Sequence, residues 1–109
     1  MREPFICALK TFAENGHVQS KLEPDYLIDQ LKLKGIISKE EADDILAKSS
    51  RLARQKELLL DLVPKREDSA FQTLLDVMEH ERYHWAREIL EHTYEKEMQK
   101  RRRGRLSQD

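Results

Sequence analysis

His80, Glu81 and His84 stand in the order H-E-x-x-H within VMEHERYHWAREIL, residues 77–90. On one α-helix, residues four apart share a face, so two imidazoles would project together with a carboxylate beside them. That set is suited to a hydrolytic zinc, with two neutral imidazole ligands and a glutamate to take the proton from a metal-bound water. A catalytic zinc needs a third protein ligand and one open position. His92 follows His84 by eight residues with no glycine turn between them, and Glu88 and Glu91 are the other nearby candidates. Only 17 residues follow His92, and no stretch reads as a sheet edge on which a peptide substrate could be laid. The decisive question is whether residues 80–84 lie on one helix.

The elements around the motif answer it in the negative. The chain has 109 residues, three Gly, three Pro and 38% charged residues. That is one domain's length, and the composition favours an all-helical domain with charged surfaces over a turn-rich β protein. Six helical segments can be read. The first runs through PFICALKTFAE, with Phe5, Ala8, Leu9 and Phe12 on one face, and Asn15-Gly16 bends or breaks it. Pro24 opens the second, which buries Leu27, Ile28 and Leu31 and ends at Gly35. Ser38 and Glu41 form a capping box for the third, with Ala42, Ile45 and Leu46 inward. Ser49-Ser50 leads into the fourth, with Leu52, Leu58, Leu59, Leu62 and Val63 buried and Pro64 as its stop. Asp68-Ser69 caps the fifth, carrying Phe71, Leu74, Leu75 and Met78. The sixth carries Trp85, Ile89, Leu90 and Tyr94, then frays into KRRRGR. Short links make neighbours antiparallel, so the expected fold is an all-α, antiparallel six-helix bundle. The H-E-x-x-H run then straddles the break between Met78 and Trp85.

Charge alternates along the chain. Residues 23–47 hold seven acids against three lysines, and residues 48–66 hold six bases against two acids. Residues 67–95 are acidic again and residues 96–105 basic, while the net charge is only −1. The overall charge therefore indicates neither a nucleic-acid nor a membrane partner. Opposite patches on different faces suit a domain that stacks on copies or relatives of itself. One cysteine, Cys7, rules out an internal disulfide and fits a reducing compartment. No apolar run approaches a membrane span, so a cytoplasmic protein is expected, with the nucleus as the alternative.

Three stretches carry a resemblance: LIDQLKLKGIISKEEADDI, then LLLDLVPKREDSAFQTLLDVM, then WAREIL. From Tyr26 to Met98 the chain resembles a caspase recruitment domain (CARD) of the death-fold superfamily, most closely those of RAIDD-type adaptors and initiator caspases. The resemblance implies a bundle with a bent first helix, no catalytic activity and no cofactor. It implies as partner another CARD-containing protein, such as an initiator caspase, an apoptosome-type activator or an adaptor. Self-assembly is a further expectation. In the commonest contact of the family, basic residues of helices one and four meet acidic residues of helices two and three. Here that points to Arg51, Arg54 and Lys56 in helix four with Lys10 in helix one. The acidic side is Asp25 and Asp29 in helix two, with Glu40, Glu41, Asp43 and Asp44 in helix three. The family's turn after helix four usually reads Arg-Gly, whereas Arg66 is followed here by Glu67.

The domain is expected over residues 1–98, with a basic tail at 99–109. A CARD of an immune sensor is the alternative within this class. The alternative of another class is a small helical nucleic-acid binder using Arg51, Arg54 and the tail. The tail lacks interleaved aromatics, so it reads first as a solvated run or domain junction. Cys7 and Trp85 read as core or near-core residues. Equilibrium dialysis should find no tight stoichiometric zinc; a bound zinc together with peptidase activity would restore the hydrolase reading.

Overall fold

The computed structural model describes residues 1–107. α1 (Glu3–Glu14) carries Pro4 in its first turn, where a missing N–H removes no helical bond. Asn15 then breaks the first segment in two. Its Oδ1 accepts from the His17 and Val18 N–H groups and so starts α2 (Gly16–Lys21). α3 (Pro24–Leu33) ends at Gly35, which takes a positive φ of 77°. There the Ile36 N–H donates to the Leu31 carbonyl and the Gly35 N–H to that of Lys32, the Schellman arrangement that glycine permits. α4 (Lys39–Leu46) starts from a complete capping box of Ser38 and Glu41. α5 (Arg51–Lys56) is capped by the Ser50 hydroxyl. It runs without interruption into a π-helical turn (Glu57–Leu62) and a 3₁₀ turn (Val63–Lys65). α6 (Ser69–Val77) and α7 (His84–Ser107) follow.

α1 lies along α7 and against the π-helical turn, while α3 packs against α4, α5 and α6. The core between them includes Leu9, Phe12, Val18, Leu27, Ile28, Leu58, Leu59, Leu74 and Leu90, all fully buried. Each such side chain contributes about 1.5–3 kcal/mol by leaving water. Phe5 stacks on Tyr94 with ring centres 5.1 Å apart and also meets Phe71, which ties α1 to α6 and α7. Tyr26 stacks on Tyr83 at 4.8 Å and pins the α6–α7 link to α3. Trp85 is partly buried against the core, edge-on to His17.

The architecture expected from the sequence is present, with five local differences. Leu52 and Leu46 are exposed, at 38% and 40%. Gln55 takes the inward position of α5, leaving Leu52 about 60° round the helix, and Leu46 lies about 100° round from the inward Ile45. Leu62 is only partly buried. Pro64 does not stop the fourth segment ahead of itself. Its ring would meet the carbonyl four residues back, and the preceding turn widens instead, so that the Val63 N–H donates to Leu58 five residues away. The chain leaves the helix at Arg66. Asp68 holds the N-cap position of α6 without a side-chain cap bond, because its carboxylate accepts from the Arg2 backbone and guanidinium instead. The sixth segment does not fray at KRRRGR: α7 continues to Ser107, carried past Tyr94 by the good helix formers Lys96 to Arg103 and braced by the Glu97–Arg101 pair, despite Gly104. The last two positions of the expected tail lie outside the described residues.

Among the described residues, one polar side chain sits in the core. Gln55 is 1% exposed. Its Nε2 donates to the Leu22 carbonyl at 2.7 Å and lies 3.4 Å from those of Val18 and Gln19. Val18 already accepts from the Leu22 N–H within the helix, whereas the Leu22 carbonyl lies past the end of α2 and depends on Gln55. Replacing Gln55 by Met keeps the volume and removes that donor. Gln55→Met should lower stability in urea titrations by about 1–3 kcal/mol, whereas Leu60→Gln, at a site already 42% exposed, should stay within about 0.5 kcal/mol.

Candidate protein-interaction surfaces

The H-E-x-x-H residues do not share a helix. His80 lies in the α6–α7 link and His84 is the first residue of α7. The His80 ring packs near Tyr26, and its Nδ1 accepts from the Arg82 N–H. His84 Nε2 meets Glu88 at 3.0 Å. The two imidazoles are thus committed to different neighbours. Among the described residues no three His, Cys, Asp or Glu side chains converge as metal ligands.

The basic candidates divide. Arg51 and Arg54 lie about 60° apart on α5, one turn from each other, while Lys56 lies about half a turn away from Arg54. Both arginines are engaged within the chain. Arg51 Nη1 donates to Glu23 at 3.1 Å and Nη2 to the Ser20 carbonyl at 2.6 Å. Arg54 Nη1 reaches both oxygens of Asp25, at 3.3 and 3.4 Å, and its Nε donates to the Lys48 carbonyl. Lys56 and Lys10 are exposed and form no ion pair among the described residues.

The acidic candidates divide as well. Asp25 holds Arg54, and Asp29 pairs with Lys32 on the next turn. Glu41 is drawn into the fold, accepting from the Ser38 backbone while pairing with Arg66. The Ser38 N–H bond, followed by the Arg66 guanidinium, holds its carboxyl below the usual glutamate range against the opposing effect of burial. Glu40, Asp43 and Asp44 remain. Their spacing places them together on the solvent side of α4, exposed and without ion pairs among the described residues.

This is an all-helical bundle whose surface carries charge clusters and whose histidine pair is dispersed. A scan against family models finds the caspase recruitment domain over residues 13–93. The chain belongs to the CARD family. Neither the curated proteins nor the solved structures contain a significant match. The CARD is a protein-interaction domain of the death fold, a family generally without enzymatic activity, and its partners are other CARD and death-fold proteins. No described helix is long and apolar enough to cross a membrane.

Sequence reading singled out the charge blocks but missed the roles of three residues, Glu23, Arg66 and Gln55. Glu23 and Arg66 were legible as charges, yet nothing in the chain order says that Glu23 meets Arg51 across 28 residues or that Arg66 meets Glu41 across 25. Gln55 gave no signal at all, because a glutamine on a charged helix looks solvated.

Glu41 has a pH signature. Its folded-state carboxyl titrates below the unfolded value, so its contribution is complete above the glutamate range and is lost as pH falls through the folded value. Glu41→Gln should lower stability by about 1 kcal/mol at neutral pH. The gap in melting temperature between variant and wild type should close on acidification below about pH 4. A gap independent of pH would mean that the charge of Glu41 does not matter.

Proposed function

We propose that this CARD couples an initiator caspase to its activator or adaptor in apoptosis signalling, acting by binding and not by catalysis. Its basic residues, Arg51 and Arg54 on one side of α5 with Lys56 farther round that helix and Lys10 on α1, meet the acidic helix-two and helix-three face of the partner CARD. Its own acidic residues, Asp25 and Asp29 with Glu40, Asp43 and Asp44, offer the reciprocal face. The contact takes place in the cytoplasm.

The observation that carries this reading is the engagement of Arg51 and Arg54 by Glu23 and Asp25. The chain already satisfies these guanidinium groups with carboxylates from the start of its own α3, the element that the sequence reading counted as helix two and the chemistry that the partner's corresponding helix would supply. Exposed pairs of this kind contribute only about 0–1 kcal/mol each, so a better-placed partner carboxylate can displace them. Glu23 and Asp25 therefore act as placeholders, and they select against partners that offer weak acidic complementarity.

Binding to isolated CARDs of an initiator caspase and of an apoptosome-type activator tests this. Asp25→Asn frees Arg54 and should tighten binding by up to about fivefold. Arg51→Glu with Arg54→Glu should abolish it, because like charges then face each other across the contact at a cost of several kcal/mol. Lys56→Glu, on the other side of α5, should weaken it less. Circular dichroism melts control for folding. Binding that ignores all three changes removes α5 from the mechanism, and binding confined to CARDs of immune sensors overturns the caspase assignment.

A further inference from the structure

The structure separates charges that are spent inside the fold from charges that are not. Arg51, Arg54, Asp25, Asp29 and Glu41 all have partners within the chain. Glu40, Asp43 and Asp44 on α4 form an anionic cluster without ion pairs among the described residues. A cationic counterpart lies on the C-terminal half of α7. Lys96, Lys100 and Arg103 fall within about 60° of one another round that helix, are exposed and form no ion pair among the described residues. Arg101, on another side of α7, is occupied by Glu97 and lies 3.5 Å from the Cys7 thiol of α1.

Two features make this stripe more than a solvated run. First, it stands on a fixed support. Tyr94 is stacked on Phe5, and Arg101 reaches Cys7, so α1 holds α7 along the length that carries Lys96 and Lys100. Second, the stripe borders an open groove of about 400 Å³ between α1 and α7, into which Thr11, Asn15, His92, Lys96 and Lys100 face. Glu97 also lines this groove, with its carboxylate bonded to Arg101. The groove offers hydroxyl and amide groups beside two ammonium groups, a setting that accepts carboxylate side chains from a convex helical face.

We propose that the Lys96–Lys100–Arg103 stripe docks the Glu40–Asp43–Asp44 face of a second copy of this chain. Both surfaces are helix faces of opposite charge, the acidic one covering about one turn of α4 and the basic one about two turns of α7, so the anionic cluster fits within the length of the stripe. Within one chain α4 packs on α3 whereas α7 packs on α1 and α6, so the faces belong to different parts of the bundle. The contact is therefore heterologous, each copy giving its stripe to one neighbour and its acidic face to another. It rests on the proposed homotypic pairing but uses a basic surface separate from α5.

Sedimentation equilibrium of the whole chain at low and physiological salt tests the assignment. Wild type should show average mass rising with concentration and falling with added salt. The K96E/K100E/R103E variant should associate at least about tenfold more weakly, with an unchanged melt. E40K/D43K/D44K should do the same. Mixing the two variants should restore a one-to-one complex, since their altered faces match. Wild type that stays monomeric, stripe variants that associate like wild type, or a mixture that does not pair would each overturn the proposal. So would a stripe that binds a labelled RNA or DNA duplex at physiological salt while leaving self-association unchanged, which would make nucleic acid the occupant. Loss of caspase-CARD binding in the α5 variants alone, with stripe variants assembling normally, would overturn this contact and leave the proposed function standing.

Discussion

The end of α2 is the point on which the arrangement of this bundle depends. A helix of six residues leaves its last carbonyls without helical partners, and here that end lies against side chains of α5. Two side chains one turn apart resolve the problem: Gln55 serves the Leu22 carbonyl from inside, and Arg51 serves Ser20 from the rim. The same pair fixes where α5 sits. Once α5 is seated on α2, Arg54 has Asp25 within reach and the π-helical turn is brought against α1. The charged face of α5 is thus a by-product of capping a short helix, and Arg51 serves that cap while standing at the surface.

Much of this bundle was readable in the chain. Asn15-Gly16, Ser38 with Glu41, and Gly35 announce their local geometry because each acts through its own backbone or a neighbour three residues away. The break that disposes of the zinc motif was also anticipated, because the fifth and sixth segments read as separate helices with H-E-x-x-H on the link between them. What was not legible depends on contacts remote in sequence. Asp68 looked like a cap and serves Arg2 instead. Leu52 looked inward because leucine was assumed to outrank glutamine for the buried position, and the free carbonyls of α2 reverse that order. The charge blocks were plain, but whether a given charge is spent or available depends on pairs such as Glu23 with Arg51. Periodicity carries no information about those.

For a domain that works by binding, the distinction between spent and available charge matters more than net charge. An interface built from internally satisfied residues exchanges one ion pair for another, and its affinity reflects the difference between two similar contacts. An interface built from unpaired residues gains the whole attraction, less desolvation. The first kind favours discrimination among related partners, and the second favours strength and sensitivity to salt. Both kinds of surface occur on this one chain.

The widened turn at Glu57–Leu62 has a consequence for how such domains diverge. In an unbroken α-helix, Leu58 and Val63 would lie about 140° apart, yet both are fully buried. Closing bonds over five residues instead of four absorbs that mismatch, so the turn acts as a phase adjuster between the exposed start of α5 and its buried end. A chain that gained or lost one residue here would keep its core by returning to or leaving the ordinary period, while the charged start of the helix would rotate relative to the bundle. Backbone winding, with no change in any charged residue, would then turn the same arginines in a new direction.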